Sequence, residues 1–171
     1  CNVPAQTFSR VVAGRNHCVG LTLTGAVICW GDNTNGQITP PSGTFGGIGA
    51  GSYHSLALRS DGSVVAWGGS SSGGDSSSAS GSLASGVTQV FSTAAAFAAL
   101  KGDGSVVTWG IPEWGGNSSA VAAQLSGGVQ EITTTGYGFA ALKSDGSVVC
   151  WGDPNSGGST SNVANLLSSG V

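Results

Sequence analysis

The sequence predicts an all-β repeat fold: a β-propeller, or a propeller fragment of four repeats, with short helical turns in its connectors. Three observations lead there. One hairpin unit occurs four times, as VGLTLTGAVICWG (19–31), LALRSDGSVVAWG (56–68), AALKGDGSVVTWG (98–110) and AALKSDGSVVCWG (140–152). Its Trp stands at positions 30, 67, 109 and 151, and its turn Gly at 25, 62, 104 and 146, so both repeat with spacings of 37, 42 and 42. A fixed period of this size marks a solenoid or a propeller. Finally, 39% of residues are apolar and only 8% are charged. The apolar residues fall in short β-type runs between Gly/Ser turns, which is a folded β pattern rather than a disordered one.

The chain divides into copies at about 1–43, 44–85, 86–127 and 128–170, one repeat domain across 1–171. Copy one opens with a strand at 8–13, where apolar and polar residues alternate, then the arm 19–23, the Thr24-Gly25 turn and the arm 26–30. The loop GDNTNGQITPPSG (31–43) follows, marked by Asn, Gly and Pro. Copy two begins at Phe45 and carries Asp61-Gly62 between its arms, a strong hairpin signal because Gly tolerates positive φ and Asp accepts it better than most. Copy three predicts strands at 87–92, 97–101 and 105–109.

The later connectors (68–87, 110–129 and 152–171) share a Gly-Gly pair at 73–74, 115–116 and 157–158. Val121 and Leu125, like Val163 and Leu167, stand four apart, which suits a turn or two of helix capped by Ser119 or Ser161. Each connector is a candidate for a fourth, outer strand, which would complete a propeller blade. Val171 opens what would be a fifth copy, so either more repeats follow or the final strand comes from elsewhere. The first residue is Cys1 rather than Met, which predicts a piece of a longer product.

The net charge is −3 with five scattered Lys and Arg, which argues against nucleic acid and anionic membranes. No apolar stretch approaches the ~20 residues of a membrane helix, so no membrane insertion is expected. Cys18 and Cys29 lie on the two arms of one hairpin. That predicts a disulfide and an extracellular, cell-surface or oxidising lumenal location; two buried free thiols are the alternative. Cys150 is either free or bonded to Cys1.

Ala50-Gly51-Ser52-Tyr53-His54-Ser55-Leu56-Ala57-Leu58, the Asp61-Gly62 turn and Ala66-Trp67-Gly68 resemble a regulator-of-chromosome-condensation repeat. Copy one agrees through Ala13-Gly14, His17 and WGDNTNGQ (30–37). The resemblance covers essentially the whole chain and implies the β-propeller of a family whose members typically have seven blades. This chain has four copies, with Ala96 and Gly138 at the His position of copies three and four, and it resembles a secreted, Ser-rich, divergent subtype. A four-bladed ring, an open arc and a fragment of a larger ring stay open. The family includes nucleotide-exchange factors, chromatin binders, ubiquitin-ligase accessory domains and a secreted β-lactamase inhibitor.

No catalytic residue, metal site or cofactor is predicted. His17 and His54 share one repeat position and read as structural side chains bonding a neighbouring blade, in preference to a metal pair or a base. Asp61, Asp103 and Asp145 are turn residues, and Asp75 and Asp153 lie in connectors without a Ca²⁺-loop spacing. Trp30, Trp67, Trp109 and Trp151 read as repeat core. Trp114 stands where the other connectors have Ser72 and Ser156, and is a candidate contact residue together with Glu113, Tyr53 and Tyr137. These readings predict a non-catalytic domain for protein–protein binding, self-assembly or scaffolding. The alternatives are a structural segment of a large repetitive assembly and a lectin-like glycan binder using Trp114 and the two Tyr positions.

Overall fold

The computed structural model describes residues 6–159. Four three-stranded antiparallel sheets follow one another along the chain, each a meander in sequence order. Blade 1 comprises β1 (Phe8–Ala13), β2 (His17–Thr22) and β3 (Val27–Gly31). Blade 2 comprises β4 (Phe45–Ala50), β5 (His54–Arg59) and β6 (Val64–Gly68). Blade 3 comprises β7 (Val87–Ser92), β8 (Ala96–Lys101) and β9 (Val106–Gly110), and blade 4 comprises β10 (Val129–Thr134), β11 (Gly138–Lys143) and β12 (Val148–Gly152).

The hairpin turns carry the repeat's sequence signal. In blade 2, the Arg59 N–H donates to the Ser63 carbonyl at 2.8 Å and the Gly62 N–H to the Arg59 carbonyl at 3.0 Å. This is a type I turn closed by a left-handed Gly, a three-residue loop rather than a two-residue one. Gly62 has φ +79°, and no residue other than Gly takes positive φ among the described residues, so Asp61 serves differently from the expectation. Its Oδ1 accepts from the Ser63 N–H at 2.9 Å and the Ser63 Oγ–H at 2.6 Å, which fixes the turn from outside. The same pair of bonds recurs at Asp103 and Asp145.

Among the described residues, the connectors do not form the expected fourth strand. They run through short 3₁₀ turns at Ser70–Ser72, Ser77–Ala79, Pro112–Trp114, Ser119–Val121 and Pro154–Ser156. Contact with the sheet returns through single bonds, from the Val64 N–H to the Leu83 carbonyl and from the Val106 N–H to the Leu125 carbonyl. Small, flexible Gly and Ser residues have poor strand propensity, so no ladder propagates from these bonds. Ser119 is not the N-cap: it is the first residue of its turn, and its N–H donates to Asn117 Oδ1 at 2.9 Å. Ser161, Val163 and Leu167 lie outside the described residues.

The apolar core sits between blades rather than within them. Val19 and Leu21 of blade 1 meet Phe45, Ile48, Ala57 and Trp67 of blade 2. Leu56, Leu58, Val64 and Leu83 meet Val87, Val90, Phe97 and Trp109 of blade 3. Ala98, Leu100 and Leu125 meet Val129, Ile132, Phe139 and Trp151 of blade 4. Each blade therefore has a leading face that packs backwards and a trailing face that packs forwards. Three indoles reinforce the junctions: the Nε1–H of Trp67, Trp109 and Trp151 donates to the carbonyls of Gln37, Gly73 and Gly115 in the preceding connector, at 2.9, 3.1 and 3.1 Å. Trp30 departs from the expected core role and is only partly buried.

The Cys18–Cys29 disulfide is not formed; both thiols are free. In the β2–β3 pair, Cys18 stands opposite Trp30 and Cys29 opposite Val19. Facing residues share a side of the sheet and neighbours along a strand do not, so the two sulfurs leave from opposite faces. Cys150 is also free, and Cys1 lies outside the described residues.

Candidate functional site

The loops joining the first two strands of each blade gather on one face. Each is closed by a short backbone bond, from Gly14, Gly51, Thr93 and Thr135 N–H to the carbonyls of His17, His54, Ala96 and Gly138. Neighbouring loops are tied together as well: the Ser52 N–H donates to Ala94 at 2.7 Å and the Ala94 N–H to Gly136 at 2.8 Å. The connectors start on the same face, where the Gly69, Ile111 and Asp153 N–H groups donate to Tyr53, Ala95 and Tyr137. The result is a firm backbone platform from which a few side chains project.

Pro112 pre-sets the first helical position of the 3₁₀ turn carrying Trp114, and left-handed Gly115 (φ +100°) ends it. This delivers the Trp114 ring edge-on to Tyr137 of the next blade, with centroids 4.7 Å apart and planes at 64°. On the other side, Arg15 Nη1 donates to Tyr53 Oη at 2.6 Å, and its guanidinium lies 5.8 Å from the Tyr53 ring centre. Between these pairs lies a cavity of about 280 Å³ lined by Arg15, Tyr53, Ala95, Ile111, Trp114 and Tyr137.

Three of the four expected contact residues thus line one cavity. Glu113 is exposed at the tip of its turn and outside the lining. Arg15 and Ile111 were not anticipated. Arg15 occupies the loop position of Ser52, but nothing in the sequence brings blade 1's loop towards blade 3's connector. It is the one charged group in the lining, which makes the mouth of the cavity locally basic in an acidic chain.

The histidines lie inside the junctions, away from this cavity. Ser55 Oγ donates to the Gln37 carbonyl at 2.9 Å and receives the His17 Nε2–H at 2.9 Å, so the Gln37 carbonyl collects both this relay and Trp67. The bond expected from His17 to neighbouring backbone therefore passes through a hydroxyl of blade 2. His17 and Ser55 are 2% and 0% exposed, so no substrate reaches this Ser–His pair, and the Ser proton is already committed to Gln37. Burial lowers the His17 pKa, partly opposed by Asp32. His54 is fully buried with both ring nitrogens unpartnered, set edge-on to Phe97 at 4.3 Å. Burial, with a lesser contribution from His17, brings its pKa down to about 3. No three His, Cys, Asp or Glu side chains are grouped to hold a metal ion among the described residues.

Known proteins with this arrangement are recognisable. Residues 8–37 and 47–73 match the family model of the regulator of chromosome condensation (RCC1) repeat. No curated protein matches the chain. Among solved structures, the ectodomain of the Arabidopsis thaliana receptor kinase ACR4 is similar over 89% of this chain and 54% of its own, with 24% identity and TM-score 0.67. The ectodomain of the Physcomitrella patens receptor kinase CR4 is similar over 87% of this chain and 42% of its own, with 21% identity and TM-score 0.66. Prp20p from Saccharomyces cerevisiae is similar over 88% of this chain and 46% of its own, with 15% identity and TM-score 0.60. The chain spans about half the length of these structures, and at such identities the likeness is one of fold. Blades 1 and 2 carry matches to the RCC1 repeat, and the described chain has the fold of an RCC1-like β-propeller.

Proposed function

We propose that this chain is a non-catalytic, protein-binding propeller segment whose contact site is the cavity bounded by Arg15, Tyr53, Trp114 and Tyr137. The observation that carries this reading is the pairing of Trp114 with Tyr137 at a solvent-facing cavity outside the three apolar cores between blades. Aromatic and Arg side chains held firmly around a hollow are the usual anchors of protein interfaces. Prp20p has been studied for its binding to Gsp1p and histones, and yeast RCC1 has been crystallised with Kap60; these are properties of those proteins, and they support a binding role here. An extracellular setting belongs to the same reading. It draws nothing from the cysteines, whose pairing the strand register removes.

The test is selection of a random heptapeptide display library on the wild-type protein, with each enriched peptide re-measured on Trp114→Ala and Tyr137→Ala. The expected result is a loss of affinity of ~30-fold or more on either variant, as for interface hot spots, with unchanged circular dichroism. Peptides that bind wild type and both variants equally would place the contact elsewhere. Glycan-array binding that depends on Trp114, with no enriched peptide, would reassign the cavity to carbohydrate.

A further inference from the structure

The walls of the cavity between Arg15 and Trp114 hold hydrogen-bond donors that the fold does not use. Arg15 commits one N–H to Tyr53 Oη at 2.6 Å and pairs with no carboxylate among the described residues. A guanidinium has several N–H groups, so the others stay open on this exposed side chain. Tyr53 Oη is the acceptor in that bond, which leaves its own proton to donate. The lysines differ: Lys101 and Lys143 donate to the Ser82 and Gln124 carbonyls of the connectors beside them, at 3.1 and 2.6 Å. Across the cavity, the Trp114 Nε1–H and the Tyr137 hydroxyl make no hydrogen bond among the described residues, whereas the indoles of Trp67, Trp109 and Trp151 are all committed to carbonyls.

The lining is also polarised. Arg15 and Tyr53, from the loops of blades 1 and 2, make a cationic, hydroxyl-bearing end. Ile111, Trp114 and Tyr137, from the connector of blade 3 and the loop of blade 4, make an aromatic and aliphatic end. Small Ala95 leaves the floor between them open, and no carboxylate lines the cavity. The guanidinium rests against the Tyr53 ring, so little side-chain freedom remains to be lost when an anion arrives.

We propose that the occupant is a segment of a partner protein in which an Asp or Glu side chain stands beside a large apolar residue; this rests on the binding reading above and names its ligand. The carboxylate accepts from the open Arg15 N–H groups and from the Tyr53 hydroxyl, and the apolar side chain packs on Ile111 and the Trp114–Tyr137 pair. Bonds from a guanidinium to a carboxylate are stronger than those between neutral groups. The anion is a side chain and not a chain end. Terminal carboxylates are captured by nests of open backbone N–H groups, and here the N–H groups of Ser52, Ser72, Ala94, Ile111 and Trp114 are all committed to carbonyls. At about 280 Å³ the cavity is at the small end for a ligand pocket, which suits neighbouring side chains of one extended segment. The net charge of −3 opposes an acidic partner at long range, so recognition is set at this contact and not by steering.

The experiment uses three heptapeptide libraries, acetylated and amidated at their ends, with a central Glu, Gln or Lys among random neutral residues. Enriched peptides are measured by fluorescence anisotropy on wild type, Arg15→Ser and Trp114→Ala. Arg15→Ser gives blade 1 the residue that blade 2 carries at the same loop position, Ser52, so circular dichroism stays as in wild type. The expected binders come from the Glu library and carry an aromatic or long aliphatic residue next to the Glu. Changing that Glu to Gln costs about 10-fold or more in affinity on wild type. On Arg15→Ser the two forms bind equally; on Trp114→Ala both weaken together and the Glu form keeps its advantage. Binders from the Gln or Lys library that depend on Trp114 would overturn the carboxylate and leave the binding site standing. An undiminished Glu preference on Arg15→Ser would overturn it too, by placing the anion elsewhere. A Gln peptide that gains Arg15-dependent affinity from a free C-terminus would overturn the choice of side chain over chain end. No binder in any library, or binders indifferent to Trp114→Ala, would overturn the binding reading and this inference with it.

Discussion

Acidification from pH 7 to pH 4.5 should unfold this protein more easily, and one histidine should account for most of the change. His54 is fully buried between blades 2 and 3 with neither ring nitrogen bonded, and its pKa falls from 6.5 to about 3. The unfolded chain therefore binds a proton between these values that the folded chain does not. The stability attached to neutral His54 is whole above pH 6.5 and is lost as the pH falls towards 3. The slope approaches ~1.4 kcal/mol per pH unit. The loss between pH 7 and 4.5 is then about 2.5 kcal/mol, or roughly 5–10 °C in Tm for a chain of this size. His17, also lowered by burial, acts in the same direction. Asp61, Asp103 and Asp145 are held below the usual carboxylate value by their Ser neighbours, so their own losses fall below this window. Urea denaturation at fixed protein concentration, at pH 7, 6, 5.5 and 4.5, on wild type and His54→Leu, isolates the effect. The variant should lose most of the slope. Equal slopes in the two chains would refute the argument that the buried, unpartnered ring carries it.

Two further outcomes follow from the junctions and the strand register. Ser55→Ala leaves the His17 ring nitrogen without its bond and should cost about 1–3 kcal/mol, whereas His17→Ala with Ser55→Phe copies the Ala96–Phe139 pairing of the last junction and should recover most of it; chemical denaturation of all three chains checks both. Native-state mass spectrometry after alkylation should find no disulfide between Cys18 and Cys29, with Cys29 the slower to react because burial pushes its thiol up to about 12.

The blades were legible because their signals are local. A turn Gly, an Asp that bonds the Ser two residues on, and a Trp ending the third strand all act within one hairpin, and the period repeats them. The disulfide was misread because facing residues were inferred without the loop length. The left-handed Gly adds a residue to the loop, and a one-residue change of register moves a side chain to the other face. The Ser-rich connectors announced a break from the pattern but not its form, since one hydrogen bond back to the sheet is too little to make a strand. Trp30 looked like Trp67 because burial belongs to the neighbouring blade, which a repeat's own letters do not describe. Half of the aromatic cavity was visible, through Trp114 as the odd residue among serines. Arg15 was not, because its place depends on how successive loops hydrogen-bond across the platform.

The placement of each core between blades also bears on how such a chain grows and shrinks. Every blade offers one face forwards and a different face backwards, so a duplication of one whole period brings with it both halves of a new junction. Nothing elsewhere has to change to receive it. The slot between blades can then diversify pair by pair, from His17 with Ser55, through His54 with Phe97, to Ala96 with Phe139, each step altering a single boundary. Loss or gain of a fraction of a period has the opposite effect, since it leaves a face without its counterpart. Length variation in such a protein should therefore come in steps of about one blade, and sequence drift should be inherited in matched pairs across boundaries rather than within blades.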